Sequence, residues 1–231
     1  MTGGKLLASY IFGSVGRGQS DGYSDLDILA VVKNGSGKVD EATVTDELPA
    51  ELAGLKPSIS WYGSERLKQM FANGELFAWH LYRETIPLID PQRLLESFGP
   101  PTAYLDCEKD VASFIKVLDG IPEQIQRHRG NAIYEAGLVY VCLRNIAMAA
   151  SWQLCPEPDF SRYSIFKLEG FSEFPLSQSE FETAMFCRMS GQRGSPPPDG
   201  VHAEYVMDIY NRVSPWLRRL QRTLSKGSTV G

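Results

Sequence analysis

Two aspartates, Asp25 and Asp27, stand two residues apart at the mouth of the apolar run Leu26 to Val32. In a strand, residues i and i+2 project from the same face, so both carboxylates would lie side by side and suit a hard, oxygen-seeking cation such as Mg²⁺. Eleven residues before Asp25 the chain carries Gly13-Ser14, followed by Gly16, Arg17, Gly18 and Gly22. Glycines allow backbone amides to turn toward and approach a phosphate, while Ser14 adds a hydroxyl and Arg17 a guanidinium. Glycine and aspartate between two strands are also ordinary turn chemistry. An arginine flanked by glycines and two acids at the start of an Ile-Leu-Val strand are not what a solvated turn requires, because an unpaired buried charge is costly.

This arrangement of strand, Gly-Ser turn, glycine-rich loop and second strand with Asp-x-Asp resembles the DNA polymerase β nucleotidyltransferase superfamily. It is most similar to the minimal and aminoglycoside nucleotidyltransferases, whose core reads Gly-Ser, Ala-Arg-Gly, then Ser-Asp-x-Asp. The matching residues are Gly13, Ser14, Gly16, Arg17, Gly18, Ser24, Asp25 and Asp27, with Gly16 where those relatives usually have alanine. The resemblance implies a Mg²⁺-dependent enzyme that moves a nucleoside monophosphate from a triphosphate, ATP among them, to a hydroxyl of a small molecule or a protein. Asp25 and Asp27 would hold the metals. Gly13, Ser14, Arg17 and Ser24 would bind the nucleotide, with Ser14 and Arg17 on its β- and γ-phosphates.

The chain departs from the family at one place. Active members usually carry a third carboxylate on the next strand, which here reads Lys56-Pro57-Ser58-Ile59-Ser60-Trp61-Tyr62 without an acid. Ser58 and Ser60 occupy the face where it is expected, and Glu65 follows just past the strand. Relatives that modify aminoglycosides place a glutamate of the helical region as general base, which points to Glu135; an exposed glutamate stabilising a helix start is the plainer reading of that residue. A noncatalytic nucleotide-binding or partner-binding module, similar to an antitoxin-like pseudoenzyme, is the alternative that the missing acid leaves open. Arg144 is not followed by a histidine before Trp152, so a ribonuclease-like pattern is absent. His80, His128 and His202 are isolated in sequence, and Trp61, Tyr62, Trp79 and Tyr82 are expected in the core.

Composition is that of an ordinary globular protein. The 231 residues are 43% hydrophobic and 22% charged, with a net charge of −5 that disfavours broad nucleic-acid binding. Four scattered cysteines, Cys107, Cys142, Cys155 and Cys187, have no metal or disulfide spacing and are expected as reduced core residues. The first ten residues lack the pattern of a cleaved leader, and no apolar run is expected to span a bilayer, so a cytoplasmic location is the default. A homodimer is left open.

The elements that must position the site divide in two. Residues 1–104 alternate short strands with turns and helices, and are expected to form a nucleotidyltransferase domain. Its strands are read near Ser9 to Phe12, at Leu26 to Val32, at Ser58 to Tyr62 and at Ile86 to Ile89. A helix is expected around Val39 to Leu52, another from a Ser64 cap to Phe71, a third over Glu75 to Glu84, and a fourth from Asp90-Pro91 to Gly99. The segment GELFAWHLYRETIPLID also resembles the helix and final strand that close the sheet in these enzymes. Residues 105–231 are expected to form an α-helical, acceptor-binding bundle: Val111 to Arg129 broken near Gly120, Ala132 to Leu154, a Ser177–Glu180 capping box before Phe181 to Met189, a loop over Gly191 to Gly200, and Val201 to Leu224 with a Pro215 kink. The expected class is α+β, an N-terminal mixed β-sheet with flanking helices followed by a C-terminal α-helical bundle.

Overall fold

A computed structural model describes residues 6–52, 54–171 and 173–227. The start of the chain, residues 1–5, which enters the leader expectation, lies outside them. The chain is mixed α+β and divides into two compact units, Met1–Leu105 and Asp106–Gly231.

The first unit is built on four strands, β1 (Leu6–Phe12), β2 (Leu26–Val32), β3 (Pro57–Gly63) and β4 (Ile86–Ile89), in the order β3-β2-β1-β4. Strand β1 pairs antiparallel with β2 and β4, whereas β2 and β3 run parallel. A parallel pair needs a crossover, and residues 33–56 supply it. The continuous helix expected over Val39 to Leu52 does not form. Only α2 (Ala42–Thr45) and a 3₁₀ turn at Ala50–Leu52 appear, because Pro49 has no amide to donate and disfavours helical backbone in the residue before it. Val44, Leu48, Leu52 and Leu55 nevertheless pack on one face of the sheet, against Ile11, Leu26, Ile28 and Ala30.

The opposite face carries Tyr10, Phe12, Leu29 and Val31. It is covered by α3 (Ser64–Ala72), α4 (Leu76–Glu84) and α5 (Leu94–Phe98) through Leu67, Met70, Phe71, Ala78, Leu81 and Leu95. Helix α1 is one turn, Gly13–Gly16, set between β1 and the loop. Helix α3 is capped differently from expectation. Ser64 is its first helical residue, and the Glu65 amide donates instead to Asn34 Oδ1 at 3.1 Å, from the loop after β2. Helix α5 begins at Leu94 rather than at Pro91. Asp90 accepts its first-turn amide from Leu94 at 2.8 Å and a hydroxyl bond from Tyr10 at 2.6 Å, so that carboxylate ties α5 to β1.

The second unit is helical: α6 (Cys107–Asp119), α7 (Ile121–Arg127), α8 (Ala132–Leu154), α9 (Gln178–Arg193) and α10 (Ala203–Gly227). Helix α8 is central, packing against α6, α9 and α10. It is apolar on nearly every side, the mark of a helix enclosed by its own protein. By length and composition the segment Arg129–Leu154 could also cross a membrane, contrary to the expectation that no stretch would; 61% of its most apolar window is buried within the protein. Where α8 meets α9 the backbones touch: a Cβ on Gly137 would lie 2.9 Å from Arg188 Cα. The capping box Ser177–Glu180 opens α9. That helix continues through Gly191 to Arg193, and the loop begins only at Gly194, whose positive φ ends the helix. Pro215 lies inside α10.

Candidate functional site

Strand β1 ends at Phe12 and the chain turns at once through α1. Gly13 has a φ of +71°, and a Cβ placed on it would sit 2.7 Å from Asp27 Oδ2. The register explains that closeness. Phe12 pairs across the ladder with Asp27, so the first turn of α1 is laid directly against the Asp27 carboxylate. Only glycine accommodates both the backbone angle and the contact. Within this turn the amides of Arg17, Gly18 and Gln19 donate to the carbonyls of Gly13, Val15 and Ser14. The amides that open the turn have no place in that pattern, as at any helix start, and are the groups a phosphate would meet.

Asp25 and Asp27 are both half-buried, flanking the fully buried Leu26. Asp27 belongs to the sheet face of Leu29 and Val31. Asp25 lies just before the strand, whose first residue, Leu26, donates its amide to Lys56 O at 3.1 Å. On the neighbouring strand Ser58 is the residue in register with Asp27, while Ser60 pairs with Leu29. Ser58 is exposed. It occupies the position at which a third acid would stand beside Asp27. Glu65 does not: it follows Gly63, five residues beyond Ser58 in the ladder, which at about 3.3 Å per residue is about 16 Å up the strand. That excludes Glu65 as a ligand beside these aspartates. Among the described residues, no three His, Cys, Asp or Glu side chains cluster closely enough to hold a metal ion.

Ser24 closes the loop before Asp25. Its hydroxyl donates to Asp21 Oδ1 at 2.9 Å and accepts from the Asp21 amide at 3.0 Å, while the Tyr23 amide donates to the same carboxylate at 3.0 Å. This Asx-type turn braces the approach to the aspartates. Of the loop glycines, Gly18 takes a positive φ of +66°, whereas Gly16 is required by space: a Cβ there would lie 2.5 Å from Glu84 O.

Arg17 is engaged inside the protein. Its Nη1 donates to Glu84, and its Nε donates to Gln19 Oε1 at 3.2 Å. His80 Nε2 lies 2.7 Å from the same Glu84 oxygen, and the His80 ring stands edge-on to Phe12 at 5.6 Å and Phe77 at 6.2 Å. In sequence His80 stands apart from the other histidines, and Glu84 belongs to no motif. The His80–Glu84 spacing of i,i+4 was the available signal. His128 and His202 are exposed.

Glu135 does not stand exposed at a helix start. It is 3% exposed in the first turn of α8, its Oε2 has no hydrogen-bond partner, and burial raises its pKa. A raised pKa suits a proton acceptor, and the carboxyl is enclosed in this structure. All four cysteines are free, and three are buried, which pushes the thiol of Cys107 up to about 12 and those of Cys142 and Cys187 up to about 11. None of these three is a thiolate near neutrality. Cys155 is half-buried. Trp61 and Tyr62 pack on opposite faces of the sheet, Trp79 Nε1 donates to Thr102 O at 2.9 Å, and Tyr82 is half-exposed rather than in the core.

No known family model matches the chain, and no curated protein matches it.

Proposed function

We propose that the first unit is the catalytic core of a Mg²⁺-dependent nucleotidyltransferase, which moves a nucleoside monophosphate from a nucleoside triphosphate to a hydroxyl of a small molecule or a protein. The observation that carries this reading is the Gly13–Asp27 contact. It builds a turn suited to phosphate against a carboxylate suited to the cation that accompanies phosphate. The donor set fits Mg²⁺, which commonly takes one or two carboxylates and fills its remaining positions with water and substrate phosphate. Asp25 and Asp27 would hold it. When bound, the ion neutralises charge on the polyphosphate and lowers the barrier to attack by the acceptor oxygen.

The chain's own residues have three tasks in this reading. The amides opening α1 and the Ser14 hydroxyl bind the departing phosphates, Arg17 adds a fixed positive charge to them, and the Asp21–Ser24 turn holds Asp25 at the start of β2. The bond from acceptor oxygen to α-phosphorus forms as the bond to pyrophosphate breaks, and the proton of the hydroxyl passes to water. The helical unit is the proposed acceptor-binding domain, and the cytoplasm, where triphosphates are abundant, is the proposed location.

A second reading is favoured by one observation: the position opposite Asp27 on β3 is a serine. A hydroxyl ligates Mg²⁺ far less well than a carboxylate, so the site would bind a nucleotide without turning it over. Incubation with Mg²⁺ and each α-labelled triphosphate, with and without hydroxyl acceptors, separates the two. Label transferred by the wild type and lost in Asp25→Asn supports the enzyme. Saturable nucleotide binding without transfer supports the module, and neither binding nor transfer refutes both.

A further inference from the structure

The helix α4 reaches the candidate phosphate loop through its last turn. Glu84 meets that loop twice, by its backbone and by its side chain. Its carbonyl lies where a Cβ on Gly16 would need to be, so loop and helix end touch with no side chain between them. Its carboxylate receives Arg17 Nη1 and lies against His80 Nε2. The side chains are enclosed, Arg17 being 16% exposed, Glu84 8% and His80 10%. His80 is in turn held edge-on by Phe12, the residue immediately before Gly13. The chain of contacts therefore begins and ends at the loop: Phe12, His80, Glu84, Arg17.

Ordering an arginine in this way has a defined consequence. A guanidinium is planar and donates in a fixed fork, so anchoring two of its nitrogens sets the direction of the third. Nη1 is anchored on Glu84 and Nε on Gln19, which leaves Nη2 as the nitrogen without a protein acceptor among the described residues. We infer that Glu84, braced by His80, is a positioning residue that pre-orients Arg17 so that Nη2 is presented to the polyphosphate tail of a nucleoside triphosphate. The inference rests on the nucleotidyltransferase reading of the loop and adds to it residues on α4 that lie outside the glycine-rich segment. Removing the charge of Glu84 leaves the arginine in place but unaimed. A mobile arginine must then be ordered at the moment of binding, and that cost falls on ligands that reach it.

A double-mutant cycle with Arg17 tests this, using Mg²⁺ with ATP and with AMP as probes and titration calorimetry as the readout. Glu84→Gln should weaken ATP binding about tenfold and AMP binding hardly at all, since only a ligand with β- and γ-phosphates uses Arg17. In an Arg17→Ala background the same substitution should cost nothing further for ATP. Glu84→Asp, which keeps the charge and draws it back by one methylene, should lose less than Glu84→Gln, and it serves as the decisive variant if thermal melting shows Glu84→Gln unfolded. Equal losses for ATP and AMP, an undiminished loss in the Arg17→Ala background, or wild-type affinity in both Glu84 variants each overturn the inference. If ATP binding falls in Asp27→Asn and Arg17→Ala but not in the Glu84 variants, the reading of the site stands and only the role of Glu84 falls. If the wild type binds no ATP, both fall together.

Discussion

Replacing Gly13 by alanine tests the contact on which the site is built, and the structure allows its cost to be divided. The first part is conformational. A φ of +71° belongs to the left-handed region, which costs an ordinary residue about 1–2 kcal/mol. The second part is steric, because the new Cβ would meet Asp27 Oδ2 at 2.7 Å and force the carboxylate or the turn to move, at about 1–3 kcal/mol for overpacking of this kind. Two other glycines in the same loop separate these parts. Gly18 has a φ of +66° but open space around its Cβ position, so Gly18→Ala should lose only about 1–2 kcal/mol. Gly22 has open space and no positive φ, so Gly22→Ala should change stability by less than about 0.5 kcal/mol. Urea unfolding followed by hydrogen exchange of the β2 amides would measure the three losses within the first unit alone. The expected order is Gly13, then Gly18, then Gly22, with Mg²⁺-dependent nucleotide binding impaired most in Gly13→Ala. Equal losses at Gly13 and Gly18 would mean that no carboxylate lies against Gly13, and the proposed site would lose its foundation.

Three further outcomes are expected. Ser58→Asp should raise Mg²⁺ affinity and any transferase rate in a metal titration, because Ser58 is the residue in register with Asp27, whereas Ser60→Asp, beside Leu29, should not; a gain at Ser60 alone would refute the register. Gly137→Ala should destabilise the helical unit by about 1–3 kcal/mol in thermal or urea unfolding, although alanine is the better helix former, since its Cβ would press on the Arg188 backbone; a stabilised variant would contradict the α8–α9 contact. Glu135 gives a pH signature of known sign: burial raises its pKa, so between the unfolded value, about 4.3, and the raised folded value the folded protein binds the extra proton and stability falls as pH rises. Glu135→Gln should therefore remove that decline, melting higher than the wild type at neutral pH and converging with it toward pH 4, and an unchanged difference across the range would show that Glu135 is not buried as described.

Much of the sheet was legible because its signals are local. The run Leu26 to Val32 is bounded by Asp25 and Lys33, and it folds as β2 over those residues; Ile86 to Ile89 behaves likewise. Ser177 and Glu180 announce α9 through a capping box whose two bonds form within one turn. The errors arise where a distant residue decides. Asn34, thirty-one residues away, does the capping expected of Ser64 at α3, and Pro49 interrupts a segment whose apolar spacing alone reads as a helix. In the candidate site the aspartates and glycines were visible as a motif, but the partner of Arg17 was not, since Glu84 is separated from it by 67 residues and meets it only because α4 folds back over β1. Glu135 was misread from its place in a first turn. The apolar residues on nearly every side of α8 outweigh that place and bury the carboxyl.

In the proposed function Asp25, Asp27 and the Gly13-Ser14 turn together hold a divalent cation with a triphosphate. Electron paramagnetic resonance of Mn²⁺, standing in for Mg²⁺, addresses it directly when titrated with the protein and a nonhydrolysable triphosphate. The free-ion signal should be depleted by the wild type in the presence of the nucleotide beyond what nucleotide alone removes, and Asp27→Asn should abolish this extra depletion while remaining folded. Equal depletion by wild type and Asp27→Asn, or none by the wild type, would contradict it.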